Sequence, residues 1–299
     1  MRSSLSALLV TAAVAAGGLA ISSCGAEDVS VDVAEAAAAT GEQGTARMEM
    51  TMKMDGLGLP TPITVRADGV TALRKPRTRF EMDFGPLLSL AGAGGEGTVE
   101  MVLDGASIYV KPPQLDGLDI PGDKPWVAVD LGAAADAAGV PTEGFEALVA
   151  VDPASQLRAL RAAKGLEDLG TEEIDGVETT HYKGTTTPTD IIDELPQAER
   201  REGRKALETL EALNDGAPGG FDDSAPVELW IDGDGLARRM RTSSELPAGN
   251  GIPGGSFEVD YSLSDFGAEL DVSAPPASDS YDATGALASL LEQVAPALR

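Results

Sequence analysis

The strongest constraint on the fold is a short stretch in which two kinds of side chain alternate. From Arg47 to Met54, methionine takes every second position, and Arg, Glu, Thr or Lys takes the positions between. Successive side chains of a strand point to opposite faces of a sheet, so this period of two predicts a strand with one apolar face. A sheet of such strands meets a hydrophobic core on one side and water on the other.

The same alternation recurs in later segments, with aliphatic and aromatic residues alongside methionine. The alternating apolar positions are Phe80, Met82 and Phe84; Val99, Met101 and Leu103; Ile108 and Val110; Val227, Leu229 and Ile231; and Phe257, Val259, Tyr261 and Leu263. Each set predicts a half-buried strand whose other face is polar. The sequence therefore predicts similar strands along most of the chain.

Asp-Gly pairs separate many of these segments. They occur at Asp68–Gly69, Asp104–Gly105, Asp175–Gly176 and Asp232–Gly233. Such pairs tolerate the positive φ angles that tight hairpin turns require. We therefore predict sequential antiparallel strands that are joined by hairpins.

A few segments between the blocks of strands favour helices, because they are Ala-rich or carry apolar residues at helical spacing. They are Val29–Thr40, Asp152–Gly165, Thr189–Asn214 with a break at Pro196, and Ala286–Ala295. Similar strands resume on both sides of the Gly- and Pro-rich segments, which indicates loops rather than domain linkers. The predicted fold is α+β: a single domain over residues 29–299, with a curved antiparallel sheet packed over a few α-helices.

Composition limits how this fold is stabilised and what it binds. Aromatic residues make up only 4% of the chain and apolar residues 42%, so the core depends on aliphatic side chains and methionine. The single cysteine excludes an internal disulfide. The formal net charge of −27 repels nucleic-acid phosphates and anionic lipid head groups. We therefore expect no nucleic-acid partner, and membrane attachment through a covalent lipid rather than a basic patch.

The N-terminus has the pattern of an export signal. A basic residue, Arg2, precedes the apolar stretch Leu5–Ala20, and the motif Ile-Ser-Ser-Cys ends at Cys24. This motif resembles the lipobox of bacterial lipoproteins. The resemblance implies that residues 1–23 are removed, that Cys24 carries diacylglycerol and an acyl chain such as palmitate, and that residues 24–28 form a short tether. The alternatives are a secretory signal with a chance cysteine and an uncleaved anchor helix.

Several strand-and-turn patterns follow one another in a recognisable order. They are the lipobox, the Ala-rich first helix, the strand at Arg47–Met54, and the segments Gly105–Lys111, Lys124–Val127, Asp152–Pro153, Gly176–Tyr182, Val227–Asp232 and Phe257–Tyr261. This order resembles the LolA-like superfamily of bacterial envelope lipoproteins, LppX/LprG type. The resemblance implies a half-barrel sheet folded over helices, a hydrophobic cavity between them, and binding or transfer of acylated lipids.

The apolar strand positions are the candidate lining of such a cavity. They are Met48, Met50, Met52, Met54, Phe80, Met82, Phe84, Met101, Leu229, Phe257 and Val259. Methionine adapts to varied apolar ligands, but it also fills ordinary cores. The residues therefore leave two alternatives: a cavity that binds a lipid or another apolar ligand, and a packed core in an envelope scaffold or partner-binding lipoprotein.

Motifs for enzymatic or metal chemistry are incomplete. His181 is the only histidine, and no Gly-x-Ser-x-Gly motif accompanies it, which favours a hydrogen-bonded strand residue over a catalytic one. The segment Asp232–Gly235 departs from an EF-hand loop because Leu236 stands where an oxygen ligand is needed. The methionine row is more typical of a core than of a Cu(I) site. We therefore expect no catalytic residue, no metal and no cofactor.

A basic run at Arg74–Arg79 has two interpretations. It is either a solvated strand-and-turn face or a contact for acidic head groups. Taken together, the patterns predict a non-enzymatic lipoprotein that is exported and anchored by Cys24 to the outer face of the cell membrane. They do not identify a protein partner or an oligomeric state.

The lipobox interpretation is tested by the variant Cys24→Ala, which removes the thiol that would carry the lipid. We expect the variant to shift from the membrane fraction to the soluble fraction, because no basic patch replaces the anchor. Fractionation and intact-mass measurement check this. Unchanged processing and membrane retention would contradict the interpretation.

Overall fold

The computed structural model describes residues 26–56, 58–74, 77–90, 97–112, 120–137, 161–194, 197, 200–201, 203–205, 207–208, 224–246 and 253–294. The helices are α1 (Ala26–Glu42), α2 (Gly85–Leu90), α3 (Leu131–Ala137), α4 (Pro188–Glu194) and α5 (Thr284–Val294), with a 3₁₀ turn at Ala277–Asp279. The strands are β1 (Thr45–Gly56), β2 (Ile63–Ala72), β3 (Arg77–Asp83), β4 (Thr98–Asp104), β5 (Ser107–Lys111), β6 (Trp126–Asp130), β7 (Lys164–Ile174), β8 (Val177–Thr186), β9 (Ala225–Asp232), β10 (Ala237–Leu246), β11 (Gly255–Ser264) and β12 (Ser280–Asp282). The predicted leader and Cys24 lie outside the described residues.

These strands form one open, curved sheet of 12 strands in the order β12-β6-β5-β4-β3-β2-β1-β11-β10-β9-β8-β7. Two meanders, β1 to β6 and β7 to β11, meet where β1 pairs with β11. Neighbouring strands are antiparallel except β12, which runs parallel to β6. The predicted curved antiparallel sheet with a few helices is confirmed.

The centre of the sheet has the alternation that the sequence predicts. Met50 pairs with Tyr261, and Met54 pairs with Phe257, so apolar residues face apolar residues across β1 and β11. Met48 and Met50 are only 2% and 5% exposed. The methionine row therefore belongs to the core side of the sheet, which we call the inner face; the opposite side is the outer face.

Helix α1 packs on the inner face. Its Val33 and Ala36 are buried in the same core cluster as the methionine row. The Thr40 hydroxyl donates to the Ala36 carbonyl at 2.7 Å and accepts from the Ala237 backbone N–H at 2.8 Å, which ties the end of the helix to β10. Helix α1 begins at Ala26, within the stretch of residues 24–28 that the sequence predicts as a tether.

Three of the predicted hairpins are present. Gly105 has a φ of +60° in the turn between β4 and β5, and Gly176 has a φ of +81° between β7 and β8. In the turn between β9 and β10, an Asp232 carboxylate oxygen accepts from the backbone N–H groups of Asp234 and Leu236, at 3.0 and 2.9 Å. The acidic side chain of this turn is thus a hairpin cap.

The fourth predicted hairpin, at Asp68–Gly69, is wrong, because both residues lie inside β2. Gly69 pairs with Phe80 of β3. A Cβ atom at Gly69 would lie 2.2 Å from the Arg79 carbonyl oxygen. The glycine is needed for the close approach of two strands rather than for a turn.

The predicted helices have mixed outcomes. Helix α4 and helix α5 confirm the start of the predicted Thr189–Asn214 helix and the Ala286–Ala295 helix. Most of the predicted Asp152–Gly165 helix lies outside the described residues, and its last two positions belong to β7 instead. The pairing of β7 with β8 shifts register at two points. Because of these irregularities, the sequence of β7 lacks the regular alternation that predicts a strand.

An extended segment, residues 265–279, connects β11 to β12 across the outer face. The Gly267 N–H donates to the Thr45 carbonyl at 2.9 Å at one end, and β12 pairs with β6 at the other. Val102 and Trp126 are outer-face residues by register, and both are buried. The outer face near β6 is therefore covered at these two positions.

The close contact at Gly69 makes a stability prediction. Gly69→Ala should lower the free energy of unfolding by about 1–3 kcal/mol, the usual cost of overpacking, because backbone atoms of β3 have to move. Gly41→Ala is the control, since Gly41 lies in α1 and its added Cβ meets nothing within 4 Å. Urea unfolding that left Gly69→Ala as stable as the control would contradict this packing.

Candidate ligand-binding face

The inner face is unusual in its lack of charge. Within β1–β6, β9–β11 and the Thr180–Thr186 part of β8, no Asp, Glu, Lys or Arg occupies an inner-face position. The outer face of the same strands carries most of their ion pairs. This division follows from the period of two in the sequence.

All the predicted lining residues lie on or beside this inner face. Met48, Met50, Phe80, Met82, Leu229 and Val259 are buried in the core cluster, while Met52, Met54, Phe84, Met101 and Phe257 are only partly buried and pack against it. The face therefore has a closed part around Met48 and Met50, and a more open part around Met52 and Met54.

Several residues of the open part were not predicted as lining. Leu59, Leu87 and Leu103 are also partly buried against the core, and Ile108, Val110, Val127 and Val129 are half-buried inner-face residues of β5 and β6. The alternation of β5 and β6 is a signal that identifies the strand residues. Leu59 lies in a loop and Leu87 in the short helix α2, where no period points to the core.

Chemically, the open part is suited to apolar groups. Each Å² of apolar surface that a ligand covers contributes about 25 cal/mol, and methionine side chains adapt to its shape. An ionised group would be desolvated there without an opposite charge on these strands.

The only histidine of the chain lies on the outer face, away from this surface. Its ring stacks on Trp230 with 4.2 Å between ring centroids, and its Nε2 lies 2.9 Å from Glu228 Oε2. Trp230 is 2% exposed and donates its indole N–H to Glu172 at 2.7 Å. The interpretation of His181 as a hydrogen-bonded strand residue is confirmed.

Two arginines extend this stack across the outer face. The guanidinium carbons of Arg239 and Arg241 lie 5.0 and 5.4 Å from the Trp230 ring centroid. Both arginines pair with Asp260, at 2.6 and 2.9 Å. The network joins β8 to β11 through side chains. It therefore stabilises the half of the sheet that β7 to β11 form.

The described arginines of the predicted basic run bind acceptors within the chain. Arg77 pairs with Asp104 at 2.6 Å, and Arg79 pairs with Glu100 at 2.5 Å. Arg74 donates to a backbone carbonyl at the end of α1. These contacts favour a structural role over a contact for acidic head groups.

The ion pairs of this cluster lower the pKa of one acidic group, Glu100. Burial tends to raise the pKa of the Glu100 carboxyl, but hydrogen bonds from Arg79 and Lys111 outweigh it and lower the pKa below 4.5. The ionised form of Glu100 is therefore stabilised in the folded protein relative to the unfolded chain.

Metal clusters and membrane-spanning helices are two further candidate features of the part of the chain that the structure describes. There, no cluster of three or more His, Cys, Asp or Glu residues is arranged to hold a metal ion. Nor is any helix in those ranges both long and apolar enough to cross a bilayer. The Asp232 carboxylate, which a calcium loop would use, pairs with Arg238 at 2.5 Å.

The sequence has a distant curated relative. No family model matches the chain. It is 24% identical over 195 residues, or 65% of its length, to an uncharacterised 31.2 kDa protein from the rplA–rplJ intergenic region of Streptomyces griseus. The chain spans 59% of that relative's length.

Several solved structures are similar to the chain over most of its length. Lipoprotein LppX of Mycobacterium tuberculosis is 17% identical with a TM-score of 0.44, over 83% of this chain and 99% of that one. LprF of Mycobacterium bovis is 16% identical with a TM-score of 0.40, over 84% and 98%. A LolA-superfamily protein of Nitrosomonas europaea is 9% identical with a TM-score of 0.27, over 85% and 96%.

The lowered pKa of Glu100 predicts how acid affects stability. The contribution of Glu100 is complete above pH 4.5, the value for the unfolded chain, and is lost as pH falls through the lower folded value. Glu100→Gln should therefore destabilise the protein at neutral pH and flatten its loss of stability in acid. Glu49→Gln, an exposed outer-face carboxylate, is the control. Urea midpoints from pH 7 to 3 measure both; parallel profiles for Glu100→Gln and wild type would contradict the assignment.

Proposed function

We propose that this protein is a membrane-anchored envelope lipoprotein that binds the apolar chain of a lipid on the open part of its inner face. The observation that carries the proposal is the charge-free inner face, whose large side chains around Met52 and Met54 are only partly buried. Binding, rather than catalysis, is the proposed activity.

The free energy for such binding comes from completing the burial of these side chains. Full burial of one Met or Phe side chain is worth about 1.5–3 kcal/mol. Several partly buried residues lie together around Met54, Phe84 and Phe257. A ligand that covers them gains this energy without having to break an ion pair, since the ion pairs lie on the other face.

The proposed anchor lies close to the binding face along the chain. Only Gly25 separates Cys24 from the first residue of α1, and α1 packs on the inner face. A lipid on Cys24 therefore keeps the inner face near the membrane surface. Such proximity favours exchange of an apolar ligand with the bilayer, as a carrier or a lipid receptor requires.

A binding experiment with paired variants tests the proposal. Replacing both Met52 and Met54 with Glu places charges in the open part, and should weaken binding of a fluorescent acyl probe at least tenfold, because buried charges are costly. Lys53→Gln is the matched control, since Lys53 lies between them on the outer face. Its affinity should equal that of wild type.

Mass spectrometry of lipid extracts from the purified wild-type protein gives an independent readout. We expect a lipid that co-purifies with wild type and with Lys53→Gln but not with the double variant. No extractable lipid together with no uptake of the probe would contradict lipid binding, and would favour a scaffold or partner-binding lipoprotein with a packed core.

A further inference from the structure

The methionines of the chain are confined to one face of the sheet. Of its eight methionines, all except Met1 lie at inner-face positions of β1, β3, β4 and β10. They are Met48, Met50, Met52, Met54, Met82, Met101 and Met240. The only cysteine, Cys24, is predicted to carry the lipid, so these thioethers are the oxidisable sulfur groups of the folded domain.

Burial divides these methionines into two groups. The buried group, in which each residue is at most 8% exposed, comprises Met48, Met50, Met82 and Met240. The partly exposed group, which packs against the core without being enclosed by it, comprises Met52, Met54 and Met101. A small solute therefore reaches the second group in the folded protein, whereas it reaches the first group only when the structure opens locally.

Met52 and Met54 lie together in the open part of the inner face. They are two residues apart on β1, so their Cα atoms are separated by about 7 Å and their side chains point to the same side. The residues that pair with them on β2 and β11 are all apolar. A polar atom added to either sulfur is therefore flanked by apolar side chains on both neighbouring strands.

We propose that Met52 and Met54 are sites of oxidation by hydrogen peroxide, and that their sulfoxides lower the affinity of the inner face for apolar ligands. In this step the thioether sulfur attacks one peroxide oxygen, an S–O bond forms and the O–O bond breaks. The departing hydroxide takes the proton of the transferred oxygen and leaves as water, so sulfur is oxidised by two electrons and peroxide is reduced. This inference rests on the proposed function and adds a means of regulating it.

The loss of affinity follows from the polarity of the sulfoxide. Oxidation converts a flexible apolar side chain into a polar one whose oxygen accepts hydrogen bonds from water. A hydrocarbon chain that covers the same residues displaces this water, and the apolar partners of Met52 and Met54 offer no hydrogen bond in exchange. Burial of an unpaired polar group is unfavourable, so oxidation destabilises the bound state more than the free state.

Tandem mass spectrometry of the full mature protein tests the site. The folded protein is treated with hydrogen peroxide at pH 7 and digested, and the added oxygen is localised at each methionine over time. Met52 and Met54 should be oxidised at least about tenfold faster than Met48 and Met50, which lie on the same strand but are buried. In concentrated urea the four rates should be equal, because the difference depends on the fold. Equal rates in the folded protein would overturn the assignment.

Titration with a pyrene-labelled alkane tests the effect on binding. Oxidised wild type should bind the alkane at least about fivefold more weakly than untreated wild type, as expected for burial of one unpaired polar group. Combining Met52→Leu with Met54→Leu removes both sulfurs and keeps apolar side chains of similar volume, so peroxide should leave the affinity of this variant unchanged. Met240→Leu is the matched control, since Met240 is 3% exposed. It should lose affinity on oxidation as wild type does.

The outcomes separate this inference from the proposed function. If untreated wild type binds the alkane but oxidised wild type binds it equally well, oxidation does not regulate the face and apolar binding stands. A loss in the double leucine variant as large as that in wild type would also overturn the inference, because other residues would then be responsible. If untreated wild type does not bind the alkane, both the proposed function and its regulation by oxidation fail.

Discussion

The pairing of β1 with β11 is the contact on which the rest of the structure depends. It joins the two meanders through β1 and β11, which lie about 200 residues apart along the chain. The pairing also sets the methionines from Met48 to Met54 opposite apolar residues of β11. A slip of one residue would move the methionines to the outer face and the charged residues into the core. The large energetic penalty of such a slip is what makes one register, and hence one inner face, unique.

The two faces of this sheet are stabilised by different interactions. The inner face gains energy from burial of aliphatic, methionine and aromatic side chains, among them Val33 and Ala36 of α1. The outer face has no such helix on its central strands within the described residues, and its residues pair across strands instead, as in the stack of His181, Trp230 and Arg239. Because the ion pairs are confined to the outer face, the inner face can leave apolar side chains partly uncovered without placing charges beside them.

Much of the fold was predictable because its signals are local. The alternation in β1, β3, β4, β9 and β11 reports which side chains face the core, and three Asp-Gly pairs mark real turns. The prediction at Asp68–Gly69 was wrong because the same dipeptide suits a tight turn and a close strand contact, and only the position of Arg79 distinguishes them. The turn at Asp175–Gly176 indicated a strand before it, but the extent of β7 was not predicted because bulges interrupt its period of two. Strand β12 was missed because three residues are too few for a pattern.

The sequence by itself determined the faces of the strands, most turns, the first helix and the candidate lining residues, since each depends on neighbours a few positions away. Only the tertiary structure decided which strands lie side by side, since loop closure over long stretches of chain leaves no periodic signal. It also decided that Met48 is buried while Met52 is only partly buried, although both have the same place in the alternation.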